Sequence, residues 1–222
     1  MKSNNALPKP ALLATLLLSV VMPAHAEITV FTNEASFLSA VQAAGTDRFD
    51  DLPTSELEAQ LSRTAGAYGY RINAGPGDGG FFPVMNNGDV YLAPTLASDV
   101  VSFSAFSLGV FGFGGSFFAT DAYGSYVSGR TIELTAMDGS GSTSYTLEGS
   151  SPTSFLGFLS TNPLTEVSLR TIGEQGNVYW ATANDVVLAV PEPSAYAMFL
   201  VGAGIAACSV RRRRRVPYTS AK

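Results

Sequence analysis

Apolar and polar side chains alternate most cleanly over residues 130–147. Ile132, Leu134 and Ala136 fall on one side of an extended chain and Thr131, Glu133 and Thr135 on the other, so this stretch reads as a strand with one buried and one wet face. Asp138-Gly139-Ser140-Gly141 then supplies a turn into Ser142–Leu147, and the spacing predicts an antiparallel hairpin. Shorter runs predict strands at 28–32, 154–159, 166–172, 178–181 and 185–190. The stretch 100–113 is nearly continuous in apolar character, with Phe103, Phe106, Phe111 and Phe113, and is expected to break into two central strands. One segment has the other period: Asn33 can cap a helix running through Gln42, with Phe37, Leu38 and Val41 as its apolar stripe and Gly45 as its stop. Leu57 and Leu61 fit a second short helix that Ser, Thr and Gly soon interrupt. The pattern predicts an all-β chain, an antiparallel β-sandwich with one short N-terminal helix.

Both ends depart from this pattern. Lys2 and Lys9 precede an apolar run at 11–21, and Ala24-His25-Ala26 has the small-x-small form read by signal peptidase. Residues 1–26 are therefore expected to be a cleavable signal peptide, with Ala24 and Ala26 as the cleavage determinants. At the other end stand Pro191, Glu192 and Pro193, an uncharged segment at 195–210, and then Arg211, Arg212, Arg213, Arg214 and Arg215. The two prolines fix φ and remove donors, which keeps the triplet extended and accessible. As a helix the uncharged segment would span about 24 Å, against a hydrocarbon thickness of about 30 Å, a short crossing that snorkelling arginines and local thinning accommodate. The arginines belong on the cytoplasmic side, which puts the triplet on the outer face.

This order of triplet, apolar helix and basic cluster resembles the PEP-CTERM sorting tail of exported proteins in Gram-negative, biofilm-forming bacteria. The resemblance implies recognition and cleavage by an exosortase-type enzyme in the inner membrane, where the protein is held transiently before reaching the cell surface or extracellular matrix. It divides the chain into a signal peptide at 1–26, a β-sandwich ectodomain at 27–190, a sorting tail at 191–215 and a cytoplasmic tail at 216–222. Phe49-Asp50-Asp51-Leu52-Pro53 and Asn184-Asp185-Val186-Val187 are also similar to segments of many PEP-CTERM ectodomains with a jelly-roll-like fold, with Asn184 in place of the first Asp of the second segment.

Charge is divided along the chain. Within 27–190, five arginines face seventeen Asp and Glu, a net charge of −12, while the two ends hold the other eight basic residues. An acidic domain of this kind repels phosphate backbones, which argues against nucleic-acid partners. His25 and Cys208 are the only histidine and cysteine, and both lie outside 27–190. Ser-His-Asp and Cys-His catalysis and ordinary zinc sites are thus unavailable to the ectodomain, and disulfides do not hold it together.

The remaining candidate chemistry is carried by carboxylates and aromatic rings. Asp50, Asp51 and Asp185 are the candidate ligands of a calcium ion, since hard oxygen donors near turns suit that cation, although no regular calcium loop is present. Asp121, Tyr123 and Tyr126 lie in the glycine- and aromatic-rich stretch 112–126 and are candidate contacts for a saccharide; core and turn roles are the preferred reading of that stretch. The glycine-rich 74–80 lacks the Lys-Ser/Thr of a phosphate-binding loop and reads as a flexible surface loop. Facing carboxylates alone could hydrolyse glycosides, but Asp50 and Asp51 are adjacent and Glu56 and Glu58 read as solvated. The expected function is a non-catalytic structural or adhesive role, with exopolysaccharide binding as the alternative and a carboxylate-dependent glycoside hydrolase as the minor one.

Overall fold

The computed structural model describes residues 27–86, 88–107, 109–173 and 178–191. The signal sequence with Ala24 and Ala26, Glu192 and Pro193, the apolar segment 195–210 and the arginine cluster 211–215 lie outside the described residues. Among the described residues no helix is long and apolar enough to cross a membrane.

The elements follow one another as β1 (Ile28–Phe31), α1 (Glu34–Ala40), β2 (Val41–Asp47), β3 (Gln60–Ala65), β4 (Tyr68–Gly75), β5 (Phe81–Asn86), β6 (Asp89–Pro94), β7 (Val100–Ser104), β8 (Gly112–Thr120), β9 (Thr131–Asp138), β10 (Ser142–Leu147), β11 (Phe155–Ser160), β12 (Leu164–Ile172) and β13 (Trp180–Pro191). They form two antiparallel sheets. One has the order β1-β11-β8-β13-β6-β5 with β2 also paired to β13, and the other the order β10-β9-β12-β7-β4-β3. From β4 onward the chain passes repeatedly from one sheet to the other, so neighbours in space are distant in sequence. The result is the expected jelly-roll-like β-sandwich with one short helix.

The β9–β10 hairpin forms as predicted, and its register sets Ile132 opposite Leu147 and Met137 opposite Ser142. The long apolar stretch also breaks: its start forms β7, which pairs with β4 and β12, whereas only its last two residues, Gly112 and Phe113, enter β8, which lies between β11 and β13 in the opposite sheet. Their phenylalanines meet between the sheets, the Phe103 and Phe113 centroids lying 4.9 Å apart. Phe49, Phe81, Phe117, Phe158, Ile72, Ile132 and Leu134 complete this core, all without solvent exposure.

A smaller cluster covers the opposite face of the seven-stranded sheet. In β13, Val186 and Leu188 point to the main core while Val187 and Ala189 point outward to Phe37, Val41 and Phe155, as the period of two requires. The Phe37 ring reaches the sheet because Gly157 of β11 stands opposite Gly114 of β8. A Cβ at Gly157 would come within 2.7 Å of the Phe37 ring, so α1 docks over a strip without side chains.

Several local expectations are corrected. Asn33 does cap α1, its Oδ1 accepting the Ser36 N–H at 2.9 Å, but the helix ends at Ala40 and Val41 is extended, with φ −125° and ψ 162°. Val41 is buried as the first residue of a strand, which satisfies the apolar pattern as well as a helical stripe would, whereas Leu38 is 41% exposed. Gly45 is not a helix stop: it lies inside β2, where a Cβ would overlap the Ala65 carbonyl oxygen. No helix forms around Leu57 and Leu61; Leu57 bridges to Phe81 and Leu61 lies in β3.

The last two predicted strands are one. β13 runs through Asn184 and Asp185 by a bulge, a register shift between Asn184 and Val187 with Asp185 at φ 49°. Finally, 74–80 is pinned rather than loose. Ala74 and Gly75 belong to β4, Gly77 N–H donates to Asp99 Oδ1 at 2.8 Å, and Gly80 N–H donates to Thr95 Oγ1 at 2.8 Å.

Candidate functional site

At one end of the seven-stranded sheet, β8 runs out at Thr120 directly opposite Trp180, the first residue of β13. The chain then folds back alongside β8, Tyr126 bridging to Thr120 and the Val127 N–H donating to the Ala119 carbonyl. Asp121 makes this turn: its Oδ1 accepts the N–H groups of Tyr123 at 2.8 Å and Ser125 at 2.9 Å, and its own N–H donates to the Ser125 carbonyl. Tyr126 closes the loop by donating its hydroxyl to the Ser150 carbonyl at 2.9 Å and setting its ring edge-on to Phe118.

Between this loop and strands β5 and β6 lies a cleft of about 250 Å³. Phe82, Val84, Thr95, Thr120, Asp121 and Trp180 contribute to its walls. Alternation explains who faces it. Phe81 and Ala181 belong to the main core, so their neighbours Phe82 and Trp180 emerge on the outer face. Trp180 is fixed there by an N–H bond from Nε1 to the Thr95 carbonyl, 3.1 Å long, and Phe82 remains 47% exposed. Of the three sequence-predicted contacts, Asp121 lines the cleft, Tyr123 stands beside it with 89% exposure, and Tyr126 acts in closing the loop. Phe82 and Trp180 were missed. The signal that could have found them is the period of two across Phe81-Phe82 and Trp180-Ala181, where one member of each pair must leave the core.

The acidic residues gather elsewhere. Asp51 bonds to Arg63, Nη1 at 2.9 Å and Nη2 at 2.6 Å, and this hydrogen bonding holds its carboxyl below the usual range. Asp50 and Asp185 share a depression of about 460 Å³ with Glu34, Arg48 and Asp89. Asn184, buried in the β13 bulge, donates Nδ2 to Asp89 Oδ2 at 3.0 Å. Burial first, and then the negative charge of Asp89, push the Asp185 carboxyl above its ordinary value, while Arg48, 4.0 Å away, acts in the opposite sense. The structure thus brings Asp50 and Asp185 to one depression and turns Asp51 towards Arg63. Among the described residues, no group of three or more His, Cys, Asp or Glu side chains is placed to hold a metal ion.

β13 ends at Pro191, paired with Val41, so the candidate sorting triplet begins inside the last strand. Residues 189–215 match the PEP-CTERM protein-sorting motif. The PEP-CTERM motif implies an exported protein that is anchored in the membrane and then processed by an exosortase-type system. Its first three residues, Ala189, Val190 and Pro191, are strand residues of the sandwich, so the motif and the fold overlap.

Solved structures resemble the chain only distantly. A carbohydrate-binding module, CBM36 in complex with calcium and xylotriose, is 15% identical, with a TM-score of 0.31, and the match covers 58% of this chain and 96% of that one. The CBM22-1–GH10 modules of Clostridium thermocellum xylanase 10B, complexed with xylohexaose, are 12% identical with a TM-score of 0.31; that match covers 68% of this chain and 29% of the xylanase chain. No curated protein matches the chain in sequence.

Proposed function

We infer that this chain is an exported protein whose β-sandwich acts without catalysis, as a structural or adhesive component of the extracellular matrix or cell envelope. The observation that carries this reading is the PEP-CTERM motif continuing directly from β13. Signal peptidase and an exosortase-type enzyme are its processing partners. The domain left after processing has no histidine or cysteine, which removes the commonest nucleophile–base pairs. Its excess of carboxylates keeps it soluble and disfavours nucleic acid.

The test is the mass and location of the mature protein. In cells containing an exosortase, mass spectrometry of surface material is expected to show Glu27 at the N-terminus and loss of the arginine cluster. An intact end running from Arg211 to Lys222 on the surface protein overturns the processing. Reducing sugar released from purified exopolysaccharide, and lost on replacing a facing carboxylate pair, overturns the non-catalytic role.

A further inference from the structure

We propose that the cleft between Phe82, Trp180 and Asp121 binds a neutral oligosaccharide, which rests on the adhesive reading above and gives it a ligand class. A pyranose ring presents an apolar C–H face and a rim of hydroxyls. The cleft offers the complement of both. Phe82 supplies an exposed aromatic surface, and Trp180 a second ring held in place by its bond to the Thr95 carbonyl. Asp121 is equally well fixed, because Oδ1 is committed to two backbone N–H groups and Oδ2 is left to accept ligand hydroxyls. The held Trp180 ring and the held Asp121 carboxylate lower the ordering cost of binding.

Charge selects among ligands. Seventeen carboxylates against five arginines in the ectodomain repel an acidic polymer, whereas a neutral one approaches without penalty. The volume of about 250 Å³ suits one or two ring units, with the rest of the chain running over the rim beside Tyr123.

Trp180 is the single tryptophan of the chain, so the emission of the exported protein reports on the cleft directly. The processed protein would be titrated with cellohexaose, xylohexaose and mannohexaose, with an oligogalacturonate hexamer and a Phe-containing peptide as contrasts. At least one neutral hexamer is expected to give a saturable change in emission. F82A should weaken it about tenfold and D121A several-fold, while F82W retains it and M137A, on the other sheet, leaves it unchanged. Circular dichroism and urea unfolding confirm that each variant is folded.

Absence of saturation by every neutral hexamer at about 10 mM overturns the proposal. So does binding that survives F82A, or preference for the acidic hexamer or the peptide. Matrix association measured in the same strains separates the two claims: if F82A protein still partitions into the matrix and binds sugar like the parent, the cleft assignment fails while the adhesive role stands.

Discussion

Arg63 grips Asp47 with two donors, Nε 2.9 Å from Oδ2 and Nη2 2.6 Å from Oδ1, although Asp47 is only 4% exposed. The same Oδ2 accepts the Tyr70 hydroxyl at 2.8 Å, and Oδ1 accepts the Phe49 N–H at 3.1 Å. Every lone pair of a buried carboxylate is thereby occupied, and the guanidinium also lies over the Phe49 ring at 5.6 Å. Burial, and next the Asp47 charge, push the Tyr70 hydroxyl well above its ordinary range, which keeps it a donor. The network ties the end of β2 to β3 and β4, and so one sheet to the other.

Removing Arg63 leaves Asp47 charged and buried without its cation. R63M is expected to lose about 3 kcal/mol in urea unfolding. R63K should recover only part of it, because an ammonium cannot reproduce the two-pronged contact. A loss below about 0.5 kcal/mol would show that the pair is not structural.

A second prediction concerns acid. Asp138 caps the hairpin turn, accepting the Ser140 and Gly141 N–H groups at 2.7 and 3.0 Å together with the hydroxyls of Ser140 and Ser160. Burial acts to raise its pKa, but those bonds outweigh it and hold the group below 3.8. A carboxyl depressed in the folded state contributes stability that is full above the unfolded value and is lost as pH falls through the folded one. D138N should therefore be less stable than the parent at neutral pH, by about 1–3 kcal/mol, with the gap narrowing below about pH 4. A gap independent of pH in paired melts would refute the charge argument.

Asp185 has the opposite sign. Its carboxyl is raised in the folded protein, so ionisation opposes folding, and stability from this group is lost as pH rises through the folded value. D185N is expected to melt higher than the parent near neutral pH in EDTA buffer, and to match it at pH values below about 3.5. An equal or lower melting temperature at neutral pH would contradict this. The side chain is nearly half exposed, so the gain should be a fraction of a kcal/mol.

The Gly157–Gly114 strip predicts a packing defect. G157A forces its methyl against the Phe37 and Phe155 rings and should destabilise by about 1–3 kcal/mol, whereas G139A, in open space, should have little effect. The double variant G157A/F37A would restore room at the cost of the helix contact, so its loss should be smaller than the sum of the single losses.

How much of this was legible depends on the range of each signal. The β9–β10 hairpin was legible because alternation and turn lie within eighteen residues, whereas the fate of 100–113 was legible only in part, since Phe103 and Phe113 enter strands but Phe106 and Phe111 lie between them. Val41 deceived because one apolar residue fits the end of a helical stripe and the start of a strand equally well. Residues 182–184 looked like a break, since Thr182 and Asn184 interrupt an apolar run as a turn would; the bulge that follows Asn184 leaves the strand whole. The cleft was half visible. Asp121 announced itself in a glycine-rich turn, but Phe82 and Trp180 come together only through the order β8-β13-β6-β5, which no local pattern encodes.

The length of β13 bears on how the molecule is presented to its surroundings. Trp180 opens the strand at the cleft, and Pro191 closes it where the sorting tail departs, eleven residue steps or roughly 35 Å further along. Pro191 is still laddered to Val41, so the strand stays paired up to its last residue. The aromatic cleft and the start of the sorting motif thus lie at opposite ends of a single strand, so a ligand seated at the one leaves the other end of the sheet uncovered.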